Sequence, residues 1–253
     1  MAGETVQSVA RALTLLRLLA HSGDGARVSD LARDCGLAIS TTHRLLTTLQ
    51  AEGFALCDPT SSLWHVGQEA HSTGLAFGRR HSLAGPALPH LRQLRDATRE
   101  TANVGVMRDG WLVNVGQVES REIMRAIAAP GARVPATSSG MGKAILSTWP
   151  DDAIEAHVAR HGLPRLTGQS RLRLRDLMDD LHRARTQGWA LDDEEHARGL
   201  RCIAAPVLGQ AGEAVGALSI SGLTQRLPDA RIPTVGADVR QAARDLGERL
   251  SGA

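Results

Sequence analysis

Apolar positions in residues 6–20 recur with a helical period on two sides of the chain. Val6, Val9, Ala10, Leu13, Leu16 and Ala20 make one stripe, and Ala12, Leu15 and Leu19 make a second. A helix apolar on two sides must be covered twice, so the second stripe is expected to meet a partner subunit. Val28, Leu31 and Ala32 mark a short helix that starts near Ser29 or Asp30 and stops at Gly36. In "ISTTHRLLTTLQAEG", Thr42, Leu45, Leu46 and Leu49 share one helical face; Ser40 or Thr41 is the expected cap and Gly53 the stop. The next stretch, "FALCDPTSSLWHVG", sets apolar runs around Asp58, Pro59, Ser61 and Ser62 and reads as a β-hairpin.

The opposite face of the helix over 39–51 carries Ser40, Thr41, His43, Arg44, Thr47 and Thr48, with no carboxylate until Glu52. Two short helices joined by a Gly-containing turn form a helix-turn-helix, whose second helix can enter the major groove of DNA. Small hydroxyls let the backbone approach the duplex, and Arg44 can reach a phosphate or a guanine. Ser40, Thr41, His43, Arg44 and Thr47 are therefore the expected DNA contacts, and the hairpin is the expected wing. The competing reading is an ordinary surface helix capped by Ser and Thr.

Residues 67–80, with three glycines, read as a linker helix. From residue 81 the pattern predicts a helix around "PALPHLRQLRDATRE", then strands "TANVGVM", "WLVNVGQV" and "IMRAIA", with turns at Asp109-Gly110, Glu119-Ser120 and "AAPG". Helices are predicted over 139–148, 151–161 and 173–187, strands over "LRCIAAPVL" and "AVGALSISG", and a last helix over 234–250. Strands joined by tight turns, with helices between and around them, predict an α+β domain on an antiparallel sheet. The expected organisation is thus 1–66, 67–80 as linker, and 81–253.

Composition changes this picture little. The 253 residues suffice for two domains, and two Phe, no Tyr and four Trp leave an aliphatic core. Net charge is +2, and residues 1–80 hold seven Arg against seven Asp plus Glu, a weak electrostatic footprint for a DNA-binding domain. Cys35, Cys57 and Cys202 are widely spaced and odd in number, which predicts reduced thiols in a cytoplasm rather than a disulfide frame or a zinc ribbon. Arg11 and Arg17 interrupt the first apolar stretch, so no signal peptide and no membrane helix is expected.

Three stretches of the second domain could carry chemistry. "SSGMGKAIL" resembles a phosphate loop, but Thr137 stands where the first Gly belongs and Ala144 where the hydroxyl belongs. Free N–H groups at its helix start would still favour an anion such as a carboxylate. "HVARH" sets His157 and His161 at a zinc-compatible spacing, yet no third ligand is near in the chain, and a solvated helix face is the preferred reading. "WALDDEEHARGLRC" brings Asp192, Asp193, Glu194, Glu195, His196 and Cys202 together in sequence. A Cys/His/Asp hydrolase could use such residues, whereas a solvated charged loop and a buried inert thiol need no chemistry. No cofactor and no metal is called for.

At this point the motifs also carry a resemblance. "SVARALTLLRLLA", "VSDLARDCGLAISTTHRLLTTLQAEGF", "PGARVPATSSGMGKAILS", "GWALDDEEHARGLRCIAAPV" and "AVGALSISG" resemble, in order and spacing, the IclR-family transcriptional regulators. The resemblance implies a winged helix-turn-helix followed by a GAF-like effector domain. It implies a homodimer or tetramer that acts, as a repressor for preference, on a pseudo-palindromic operator of a metabolic operon, according to a small organic acid, aliphatic or aromatic. It carries DNA contact onto Ser40, Thr41 and Arg44. Effector contact falls on Ser139, Gly140, Met141 and Gly142, on Asp192 or Asp193, and on Cys202, Ser219 and Ser221. Ile39 departs from the basic residue common in the family, and Trp64 from its usual Tyr. The remaining alternatives are the hydrolase, with an unrelated N-terminal module, and a scaffold without chemistry.

Overall fold

The computed structural model describes residues 6–81, 83–123 and 131–252. Two compact units divide at His81. The first contains α1 (Gln7–His21), α2 (Val28–Cys35), α3 (Ile39–Ala51), β1 (Ala55–Cys57), β2 (Trp64–Val66) and α4 (Gln68–His81). Its core is Leu15, Leu19, Leu31, Leu46, Ala55 and Trp64.

The turn between α2 and α3 is three residues long. It begins with Gly36 in the left-handed region at φ 64°, and the Leu37 N–H returns to Ala32 O at 2.9 Å. Gly53, at φ 74°, stops α3 in the same way, with the Phe54 N–H donating to Leu49 O. The start of α3 differs from expectation. Ala38 is its N-cap and no side chain caps it, because the short turn brings the chain in extended at Ala38 and puts Ser40 and Thr41 already inside the helix. The Thr42, Thr47 and Thr48 hydroxyls donate instead to the carbonyls four residues back.

The two stripes of α1 exchange the roles expected of them. Leu15 and Leu19, assigned above to a partner subunit, are buried in their own unit. Val6, Val9 and Leu13 are exposed, Val9 by 56%. Periodicity shows that a helix has two apolar faces but not which of them α3 and the hairpin will cover.

The second unit is a six-stranded antiparallel sheet in the order β5-β4-β3-β8-β7-β6. Its strands are β3 (Thr101–Arg108), β4 (Trp111–Val118), β5 (Arg133–Pro135), β6 (Ala190–Asp193), β7 (Leu200–Leu208) and β8 (Ala214–Leu223). Helices α5 (Ala84–Thr98) and α9 (Ile232–Ser251) cover one face, packing Leu91, Leu94, Val239 and Leu246 on Val104, Ile203, Leu218 and Ile220. Helices α6 (Gly140–Leu146) and α8 (Leu174–Gln187) cover the other, over Ala190, Ala204 and Ala217. Helix α7 (Asp151–His161) adds Ile154 behind α6 and α8. The strand expected at "IMRAIA" and the "AAPG" turn fall largely outside the described residues; Ile123 lies in a bend. The charge run at 192–196 is not a solvated loop. Ala190–Asp193 form the edge strand β6, and Asp192 and Glu195 are buried.

Leu15→Ala should cost the first unit about 2–5 kcal/mol, the usual range for emptying a core leucine site. Leu13→Ala should stay within about 0.5 kcal/mol, as surface changes do. Urea unfolding of the full chain followed by circular dichroism distinguishes the two; equal losses would contradict this division of α1.

Candidate functional site

In an antiparallel sheet, residues directly opposite one another share a face, so the register assigns the sheet's inner surface. Thr101 lies opposite Ser221, Ser221 opposite Cys202, and Cys202 opposite Asp192. One polar row therefore crosses β3, β8, β7 and β6. The next row on the same face is Gln117, Asn103, Ser219, Ala204 and Ala190. Asn103 Nδ2 donates to Ser221 Oγ at 3.2 Å and to Ser219 Oγ at 3.4 Å. Ser219 and Asn103 are fully buried, whereas Ser221 and Cys202 are half-buried. Asn103 Oδ1 and Gln117 Oε1 are buried with no hydrogen-bond partner among the described residues. Orphaned acceptors of this kind are rare in folded proteins and mark places where a further donor belongs.

Helix α6 begins on this row. A Cβ at Gly140 would stand 2.7 Å from Cys202 O and 2.8 Å from Cys202 Sγ, and one at Gly142 would stand 2.2 Å from Ala136 O. Only glycine allows so close an approach. The Ser139 hydroxyl caps the helix by accepting the Gly142 N–H, and the Met141 N–H donates to the Cys202 thiol. The Met141 side chain itself turns away into the apolar cluster under Leu112.

At the other end of the row, Asp192 Oδ1 accepts the N–H groups of Glu195 at 2.8 Å and His196 at 3.2 Å. Burial nevertheless pushes its carboxyl up to about 7, against the pull of the Lys143 charge. Asp193, one residue on, points to the other face and pairs with Arg201 at 2.6 Å. Of the two acids considered, strand alternation therefore puts Asp192 in the row and removes Asp193. Burial, reinforced by the Asp192 charge, raises the Cys202 thiol. A nucleophilic cysteine needs the opposite shift and an adjacent base, and the groups that bear most on this thiol include no histidine.

Lys143 cannot serve a phosphate loop. Its ammonium is buried, donating to Glu195 Oε1 and, at 3.1 Å, to Asp180 Oδ2. His157 is not on a solvated face either: its ring is buried between Trp149 and His161, and burial lowers its basicity. A cavity of about 520 Å³ at the far end of α6, lined in part by Ser147, Arg185, Leu208 and Arg244, touches none of the polar row.

In the first unit, Ser40, His43, Arg44 and Thr47 are exposed on the outer face of α3, and Thr41 is half-buried. Among the described residues Arg44 has no ion pair and no side-chain hydrogen bond. The ring of His43 meets the edge of Trp64 at 6.1 Å, so the hairpin core backs the helix, while Trp64 itself pairs with Ala26. The sequence singles out none of Thr101, Asn103 and Gln117; it offers Lys143 only to a phosphate loop and Glu195 only as one member of a charged run. Asn103 had a signal, the lone amide of its strand; nothing in the charged run sets Glu195 apart from its neighbours.

The chain is similar to known regulators over both units. The model of the IclR helix-turn-helix domain matches residues 8–59, and that of the bacterial transcriptional regulator IclR C-terminal domain matches 77–248. The HTH-type transcriptional regulator BhcR of Paracoccus denitrificans is 39% identical over 241 residues, 95% of this chain and 86% of its own length. The acetate operon repressor of Salmonella typhimurium is 37% identical over 95% of this chain and 89% of its own. Among solved structures, a transcriptional regulator from Rhodococcus sp. RHA1 has a TM-score of 0.87 at 28% identity, covering 97% of this chain and 98% of its own. An IclR homolog from Microbacterium hydrocarbonoxydans, complexed with 4-hydroxybenzoate, has the same TM-score at 20% identity, covering 97% and 100%. A helix-turn-helix with a β-hairpin, followed by a sheet whose inner face carries one polar row, and family models that together span most of the chain, make this protein a member of the IclR family of bacterial transcriptional regulators, not an enzyme.

Proposed function

We propose that residues 81–253 sense a small organic acid at the polar row and that residues 1–66, joined through the helix over 67–80, read operator DNA in the cytoplasm and repress a metabolic operon. The observation that carries this reading is the row itself. Ser221, Cys202 and Asp192 face the start of α6, beside two buried acceptors that lack donors. A carboxylate there would meet the Gly140 N–H, the Ser219 and Ser221 hydroxyls, the thiol and a protonated Asp192. An acid carrying a hydroxyl would also answer the orphaned Asn103 and Gln117 oxygens. Among the described residues no helix is long and apolar enough to cross a membrane.

On the DNA side, α3 presents Ser40, Thr41, His43, Arg44 and Thr47 without a carboxylate. The exposed Val9 and Leu13 of α1 lie one helical turn apart, and a second copy would cover them. A homodimer then presents two recognition helices to a pseudo-palindromic site, with half-sites about one DNA turn or a multiple apart.

Tryptophan fluorescence tests the sensor, since Trp111, Trp149 and Trp189 lie in the second unit. A panel of acetate, two- to four-carbon 2-oxo and 2-hydroxy acids, benzoate and 4-hydroxybenzoate should contain a binder. Ser221→Ala should weaken that binder and leave operator affinity without acid unchanged; parent-like titration would overturn the assignment.

Arg44→Ala should reduce the slope of log affinity against log salt by about one if Arg44 holds a phosphate, or cost about 1–3 kcal/mol at one base pair if it reads a guanine. An unaltered salt series would remove it from the interface. Val9→Glu with Leu13→Glu should lower the oligomer size seen by sedimentation while circular dichroism stays native; an unchanged size would exclude this face.

Asp192 supplies a pH dependence. Its folded carboxyl titrates near 7 against about 3.9 unfolded, so the folded state binds the extra proton between those values. Its contribution to stability is therefore full below about 4 and is lost as pH rises through about 7. Asp192→Asn should flatten that part of the stability profile, and acid affinity should fall above pH 7 in the parent but not in the variant. Identical pH profiles for the two proteins would show that Asp192 is ionised throughout.

A further inference from the structure

The chain has one lysine, and it is among the most deeply buried side chains of the second unit. Lys143 lies on α6 one residue past the Ser139–Gly142 turn, and its backbone N–H donates to Ser139 O at 2.8 Å. Its ammonium donates to Glu195 Oε1, and the Glu195 N–H donates to Asp192 Oδ1 at 2.8 Å. Two side chains thus connect the wall made by the first turn of α6 to the wall made by β6, behind the polar row. The turn that carries Glu195 is fastened from outside as well. Ser170 Oγ donates to Glu195 O at 2.8 Å, Thr167 Oγ1 to Glu194 O at 2.7 Å, and Arg171 holds Asp180 on the far side of the ammonium at 2.9 Å.

Stability alone does not account for this pair. Both side chains are 1% exposed, and Glu195 Oε2 is buried without a hydrogen-bond partner among the described residues. Desolvating two charges usually costs about as much as their attraction returns, and a well-packed apolar replacement is often neutral. Glu195 also keeps a carboxyl raised by burial although Lys143 touches it.

We infer that Lys143 and Glu195 are a positioning pair for the effector site, holding the first turn of α6, at Gly140 beside Cys202, and the Asp192 carboxyl at a separation matched to one small acid. This rests on the reading of the polar row as that site. A bound acid that draws on both walls is then felt at the Lys143–Glu195 contact, and the contact in turn selects acids of the matching length.

Because Lys143 is the only lysine, full-length protein labelled with carbon-13 at lysine Cε gives a single side-chain signal. With the panel acid that the parent binds most tightly, that signal should shift at saturation, and the shift should vanish in Asp192→Asn. The double variant Lys143→Met, Glu195→Gln removes both charges without leaving one unpaired. It should unfold cooperatively, bind operator like the parent, and bind the acid at least about tenfold more weakly, the equivalent of one charge-assisted hydrogen bond. Adding Asp192→Asn to it should cost less than Asp192→Asn costs alone, as expected of coupled groups. If Asp192→Asn and Ser221→Ala both titrate like the parent, the effector-site reading fails. If those two weaken binding while the double variant titrates within about twofold of the parent, the reading stands and the positioning role is overturned. A lysine signal unmoved by saturating acid would overturn it even if the double variant did not fold.

Discussion

The second unit depends on how closely α6 lies on the sheet. Ala190, Ala204 and Ala217 make a low floor, Gly140 removes the side chain that would hold the helix off β7, and Gly142 lets the helix close on the turn at Ala136. A Cβ at either glycine would overlap backbone oxygens well inside van der Waals contact, so the helix could stay only by moving outward. That approach brings the Met141 N–H to the Cys202 sulfur and closes the polar row on one side.

Close packing also forces charge into the interior. An α6 sealed between sheet and α8 has no route to solvent for the side chain at 143, so its ammonium needs carboxylates supplied from elsewhere. Asp180 comes from α8 and Glu195 from the turn after β6, and burial would raise both carboxyls. At Asp180 the charges of Lys143 and Arg171 outweigh burial and hold it below the usual carboxylate range; at Glu195 burial wins. Asp192, three residues before Glu195 in the chain, is left half protonated near pH 7. An acid that is half protonated can donate to another carboxylate, which an ordinary aspartate cannot.

The first unit meets a simpler constraint. Its core is served by one face of α3, Thr42, Leu46 and their half-buried neighbours, so the outer face is free of packing duties. The threonines there spend their hydroxyls on the helix itself, and Trp64 braces His43 from behind. Arg44 is the cation that this leaves exposed.

Elements whose signals are local were legible in the sequence. The helix over 151–161 and the strand over 200–208 have the bounds read from pattern, as the glycine stops at Gly36 and Gly53 do, because period and turn chemistry act within a few residues. The polar row was half legible: alternation alone makes Ser219 and Ser221 share a face, and the family motifs pointed to Cys202 and to one of two aspartates. Which aspartate depends on the register of β6 with β7, and that Thr101 and Asn103 join the row, with Gln117 through Asn103, depends on the register of β3 with β8, whose partners are over a hundred residues apart. The choice of core stripe on α1, the burial of His157 and the edge strand inside a run of acids were likewise decided by tertiary structure. A sequence states which side chains can be buried together, but the cost of burying a charge or leaving a stripe exposed depends on what packs against it, and only the folded chain supplies that neighbour.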